Sequence, residues 1–192
     1  LHPVAHSFPT RRSSDLLLLE IAREFIRSEE IDSIRFSTRP DTIDKRRLDI
    51  LSNYKVSDIE LGAQSMEDRV LNLSNRGHSA EDTEQAVKMI RERNKYRIGI
   101  QLMIGLPGET RDSPNFTASR IADLNPDYVR IYPTVVLKGS PLALMLKKGE
   151  YRPLSLDIAV TATKQAFIIF KSRGIRVIRM GLQASDELDN QD

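Results

Sequence analysis

An α/β fold built on a parallel sheet is predicted by three features of this sequence. Short strand-like runs alternate with longer stretches at helical spacing, at intervals of roughly 30 residues, and strand–helix–strand units of that length close right-handed onto a parallel sheet. The run Arg97–Ile104, RIGIQLMI, is nearly continuous in apolar residues, as a strand covered on both faces requires. Directly after it, Gly105, Pro107 and Gly108 crowd together, so the strand ends in a tight loop. That loop lies at the C-terminal edge of the sheet, where parallel α/β folds bind ligands.

The elements follow in order. Residues 1–15, LHPVAHSFPTRRSSD, show no periodicity and read as an unstructured leader; SFPTRRSSDL within them resembles translated sequencing-adapter read-through. A helix opens at Ser14 or Asp15 and presents Leu18, Ile21, Ala22 and Phe25 on one face. Ser33–Arg39 is a strand closed by Pro40, and Asp41 caps a helix over 41–53. Asp58–Gln64 is the second strand. Helices over 67–74 and 79–94 are separated by Asn75-Arg76-Gly77, the later one opening with Ser79 and Asp82 at capping-box spacing. After the Arg97–Ile104 strand, Ser113-Pro114 provides a cap and first position for a helix. Asp127–Tyr132 is the fourth strand, PTVVLKGSP a loop, and 155–173 a long helix with Ser155 before it and Gly174 after. Ile175–Leu182 is the fifth strand, and 184–192 an acidic tail. Periodicity leaves open whether this is a small open sheet or part of a barrel.

Composition narrows the function. At 192 residues and 40% apolar content, one domain with a substantial core is expected. The 29 basic and 27 acidic residues are intermixed, so no strong field favours nucleic acid or anionic membrane. The longest leucine run, Leu16–Leu19, falls far short of the roughly 20 apolar residues of a span, so a soluble, cytoplasmic chain with no membrane partner is expected. With zero cysteines, these residues offer no disulfide, thiolate ligand or cysteine nucleophile.

Taken together, IRFSTRP, ELGAQSM, SNRGH, LMIGLPGET and PDYVRIYPTVVLKGSPL resemble, in order and spacing, the later part of radical SAM enzymes, of the branch holding oxygen-independent coproporphyrinogen oxidase and the catalytic subunit of Elongator. The likeness runs from about Leu17 to Gln183. It implies a partial (β/α) TIM-type barrel lacking its first two strands and cluster loop. It also implies S-adenosylmethionine (SAM) bound across the barrel mouth against a 4Fe-4S cluster, which an electron donor reduces so that SAM yields a 5′-deoxyadenosyl radical. The family's CxxxCxxC triplet is absent, so the chain is expected to be the C-terminal part of a longer enzyme and inactive alone. The Elongator likeness points to tRNA as substrate, which the near-neutral charge does not support; a small molecule stays open.

The same resemblance assigns residues. Gln64 matches a ribose-contacting glutamine, and an amide can both donate to and accept from ribose hydroxyls. Arg76, twelve residues on, matches an arginine near the SAM carboxylate, for which a guanidinium fork is suited. Ser37 and Gln101 stand where porphyrin-branch relatives carry SAM-contacting acids, so they keep hydrogen bonding without the charge. Backbone of the IGLPG turn and of Val135 is implied to frame the adenine. Tyr132 either faces the pocket or caps the core. His78 reads as a local hydrogen-bonding residue, His2 and His6 as leader residues, and Asp41, Asp44 and Asp82 as helix caps. A cluster-free relative acting as a binding or scaffold module is the competing reading. An ordinary metabolic barrel enzyme is disfavoured because no convergent Lys, His and carboxylate set stands at the strand ends.

Overall fold

The computed structural model describes residues 12–181, and its elements follow the alternation read above. Helix α1 spans Arg12–Arg27, strand β1 Ile34–Thr38, and a 3-10 turn Pro40–Thr42. Then come α2 Lys45–Leu51, β2 Val56–Gln64, α3 Asp68–Leu73, α4 Ala80–Arg91, β3 Arg97–Ile104 and α5 Ser113–Asp123. The described chain closes with β4 Tyr128–Pro133, α6 Pro141–Lys147, α7 Leu156–Ser172 and β5 Arg176–Met180.

Five parallel strands lie side by side in chain order, β1-β2-β3-β4-β5. That order answers the question periodicity left open. A doubly wound sheet reverses its strand order at a switch point. An unbroken order with right-handed crossovers keeps the helices on one face and curls the strands as an arc of a barrel. The helix-facing side carries the core: Ile59, Leu61 and Ala63 of β2, Ile98, Ile100, Leu102 and Ile104 of β3, and Val129 and Ile131 of β4 pack on Leu48, Val87, Ile90, Ile121, Ala166 and Phe170 of the helices. The opposite side, the interior of such a barrel, is left to the alternate residues, and there the sequence turns polar.

Local chemistry accounts for where elements begin, with four departures from the expected pattern. Helix α1 opens at Arg12, inside the segment expected to be unstructured; residues 1–11, with His2 and His6, and the acidic tail lie outside the described residues. Asp44, not Asp41, caps α2 by accepting the Arg47 amide at 2.7 Å, because Pro40 has already committed the preceding residues to a 3-10 turn. Asp112 takes the N-cap position of α5, with Ser113 one step inside. The PTVVLKGSP loop feeds a further helix, α6, capped by Ser140 onto the Ala143 amide with Pro141 at its first turn. The Ser79–Asp82 capping box forms as expected.

Candidate functional site

Strand β2 sets up the site. Its period-2 alternation buries Ile59, Leu61 and Ala63 towards the helices and turns Glu60 and Gly62 to the open face. Gln64 then ends the strand in the left-handed region, φ 65°, beside a register shift against β3. A non-glycine residue held there is strained and needs its surroundings to fix it. Two contacts do so. The Ser65 amide donates back to the Ala63 carbonyl at 2.8 Å, and His78 Nε2 lies 3.1 Å from that same oxygen. His78 therefore braces the strand end, the local role expected of it. Gly62 leaves the space: a Cβ there would stand 2.9 Å from Gln64 Nε2. The outcome is a side chain only 6% exposed whose Oε1 has no hydrogen-bond partner.

Arg76 sits in the turn after α3, on the same side of the sheet as that strand end. Its Nε is buried without a partner, and burial, with the neighbouring Arg39 adding to it, holds the guanidinium below its usual pKa. The IGLPG turn lies beside α3. Gly105 and Gly108 both have positive φ, 91° and 85°, and a Cβ on Gly108 would come within 2.5 Å of Leu73 Cδ1. Glu109 folds back over the turn and accepts the Gly105 amide at 2.7 Å, while Tyr151 donates to the Gly105 carbonyl at 2.7 Å. Burial pushes the Glu109 carboxyl up to about 7, against the pull of the Gly105 and Leu106 amides. Val135, 45% exposed, follows β4 at the same edge. Gln64, Arg76, the turn and Val135 thus share the C-terminal rim.

Ser37 and Gln101 lie one layer deeper, in a row that crosses four strands. Its hub is Glu60, 1% exposed. Glu60 Oε1 accepts from Ser37 Oγ at 2.8 Å and closely from Gln101 Nε2. Glu60 Oε2 faces Arg130 Nε at 3.0 Å, a Coulombic contact rather than an aligned hydrogen bond. Arg130 in turn donates to the Tyr132 hydroxyl at 3.3 Å, so Tyr132 faces the open side and does not cap the core. Ser37 spends its one donor on Glu60 and Gln101 Nε2 donates to Glu60 and, at 3.4 Å, to Ser37 Oγ, which leaves Gln101 Oε1 and one Ser37 lone pair as acceptors for a ligand. Glu60 and Arg130 were not foreseen. An acid flanked by Ile59 and Leu61 was the available signal, since a buried carboxylate needs a cationic partner on its own face. Among the described residues, no group of three or more His, Cys, Asp or Glu side chains is placed to hold a metal.

Sequence models of two domains match this chain: the radical SAM superfamily over residues 10–121, and the radical SAM C-terminal domain over 126–189. The chain belongs to the radical SAM superfamily. An uncharacterized protein of Methanocaldococcus jannaschii is 39% identical over 130 residues, covering 66% of this chain and 40% of that protein. Among solved structures, this radical SAM chain superposes on N-terminally deleted Elp3 of the archaeon Methanocaldococcus infernus with a TM-score of 0.72 and 27% identity, covering 82% of this chain and 40% of that one. On Escherichia coli coproporphyrinogen III oxidase, HemN, the TM-score is 0.62 at 23% identity, over 74% and 32%, a likeness of fold. The branch expected from the motifs is therefore the one found, and the chain spans less than half the length of these relatives. Among the described residues no helix is long and apolar enough to cross a membrane.

Proposed function

We propose that this chain is the C-terminal, SAM-binding part of a radical SAM enzyme, with the pocket at the rim of β1–β4. The observation that carries the reading is Gln64: a buried amide in a strained backbone conformation, its Oε1 unpartnered, on the same edge as a guanidinium that no carboxylate neutralises. Two orphaned polar atoms fit a ligand with ribose hydroxyls at one end and a carboxylate at the other. In this reading the Gln64 amide bonds the ribose, Arg76 takes the carboxylate, and the backbone of the IGLPG turn and of Val135 frames the adenine. Ser37 and Gln101 offer acceptors to the methionine moiety.

The residues present do not fit a 4Fe-4S cluster. With no cysteine among the 192 residues, thiolate ligation is not available here, and no electron-transfer step is assigned to them. We therefore expect this chain alone to bind SAM without cleaving it. Isothermal titration calorimetry of the chain with SAM tests the pocket. Arg76→Ala and Gln64→Ala are each expected to weaken binding by about tenfold or more, the worth of a charged or doubly used hydrogen bond. Unchanged affinity in both variants would remove the pocket. After iron and sulfide reconstitution, no 5′-deoxyadenosine is expected. Absence of cysteine also suits a cluster-free binding module. An in-frame CxxxCxxC encoded upstream of this segment separates the two, because only the enzyme reading requires it.

A further inference from the structure

Arg39 was not among the residues the sequence singled out, yet it is the side chain that ties β1 to the turn carrying Arg76. It is the residue just past β1, extended at φ −78° and ψ 147°, and Pro40 after it starts the 3-10 turn. The turn brings Asp41 under the guanidinium. Arg39 Nε donates to Asp41 Oδ1 at 2.9 Å and Nη2 to Oδ2 at 2.5 Å, a fork on a carboxylate two residues away. The backbone beneath is stitched as well, since the Thr42 hydroxyl donates to the Arg39 carbonyl at 2.7 Å and sits 2.7 Å from Thr38 Oγ1. The fork has a third contact. Nη2 reaches across 38 residues to the Gly77 carbonyl at 3.0 Å.

Gly77 is the residue after Arg76, and it accommodates this contact on two counts. Its φ of +71° is one that side chains resist, and a Cβ there would lie 3.3 Å from both terminal nitrogens of Arg39. The two arginines are close enough that Arg39 depresses Arg76. Their charges are treated differently. Arg39 is neutralised by Asp41, whereas Arg76 has no carboxylate partner. An exposed ion pair alone stabilises little. A forked pair that also grips the carbonyl beside an unpaired arginine fixes where that arginine points, and pre-organised charge binds more tightly than mobile charge.

We propose that Arg39 is a positioning residue for Arg76, and that the Asp41–Arg39–Gly77 clamp sets the rim's preference for a ligand carrying a carboxylate. This rests on the SAM-binding reading above. The test measures, by titration calorimetry on the full chain, affinity for SAM and for 5′-methylthioadenosine, which keeps the adenosine and the methyl-bearing sulfur, now a neutral thioether in place of the sulfonium, and lacks the amino-acid end. Wild type binding SAM supports the underlying reading; wild type binding neither nucleoside overturns both that reading and the clamp. Arg39→Gln is expected to weaken SAM by about tenfold while methylthioadenosine changes by less than about twofold. Arg39→Lys, which keeps the charge and cannot form the fork, is expected to resemble Arg39→Gln. SAM binding by Arg39→Gln equal to wild type, or parallel loss of both nucleosides, overturns the clamp and leaves the pocket standing. Asp41→Asn, which releases the fork from the other side, must show the same selective loss in smaller measure, and indifference there also counts against the proposal.

Discussion

The rim and the floor of this half-barrel are both polar, and they are polar in opposite ways. In the floor, Glu60 Oε1 accepts from Ser37 and Gln101, and Oε2, which makes no hydrogen bond, stands 3.0 Å from Arg130 Nε, charge against charge. At the rim, Gln64 Oε1 and Arg76 Nε are buried with neither a hydrogen bond nor an opposite charge. A charge-paired network holds a fold in one arrangement, whereas a buried polar atom with no partner of either kind costs free energy that a ligand can return. The difference separates residues that shape the pocket from residues that use it. It also predicts which substitutions act on folding and which on binding.

The largest effect is expected in the floor. Glu60→Leu leaves the Arg130 guanidinium, 18% exposed, facing a hydrocarbon surface, and removing one partner of a buried pair costs about 3–5 kcal/mol. Replacing both, in Glu60→Leu with Arg130→Met, is expected to recover most of that loss, since an apolar pair of similar volume is often as stable as the ion pair. Urea denaturation of the two variants checks it. If the single substitution were as stable as wild type, the floor would not be the charge-paired network described here.

The second prediction sharpens the comparison at the rim's own edge. Glu109 is an acid held by two amides, yet burial outweighs them and lifts its carboxyl from 4.5 to about 7. In the unfolded chain it loses its proton near 4.5, so between that value and about 7 the folded state binds the extra proton. Its contribution to stability is therefore fully present below about 4.5 and falls away as pH rises through 7, by roughly 3 kcal/mol in all. Glu109→Gln keeps an acceptor for the Gly105 amide without the charge. It is expected to flatten that part of the stability–pH curve and to exceed wild type at pH 8, where the wild-type carboxylate is buried and ionised. Parallel curves for the two proteins from pH 4 to 8 would count against the assignment.

How far the sequence foretold this depended on whether a feature was local. The five strands, the capping box at Ser79 and the loop after Ile104 follow from periodicity and from residues a few positions apart, and they stand where they were expected. Gln64 and Arg76 were singled out through motif likeness alone, and both stand at the C-terminal edge of the sheet. Gln101 was expected to face inward, and it shares a row with Ser37, but the commitment of both to Glu60 could not be seen, because it depends on register: Ser37 pairs with Glu60 across β1 and β2, and Gln101 with Arg130 across β3 and β4. Asp41 was read as a cap because acids before helices usually are. Its actual partner, Arg39, is held by a turn that Pro40 imposes. Helix α6 carried its signal openly, in Ser140 followed by Pro141, and was lost among the glycine and β-branched residues of the preceding loop.

The smallest effect is the one that best divides strain from function within a single residue. Gln64 contributes two separable things: a backbone at φ 65°, which costs free energy for any residue with a Cβ, and an amide whose oxygen has no partner. Gln64→Ala removes the amide and keeps the strain. Gln64→Gly removes both, at the cost of a more flexible unfolded chain. If the strain belongs to the backbone and the binding to the side chain, the two variants weaken SAM equally, while the glycine variant is the more stable by about 1 kcal/mol. Thermal melts and calorimetric titrations on the pair measure the two quantities independently. Equal stability would mean that the left-handed conformation costs nothing here, and Gln64 would then be no more poised than the residues of the floor.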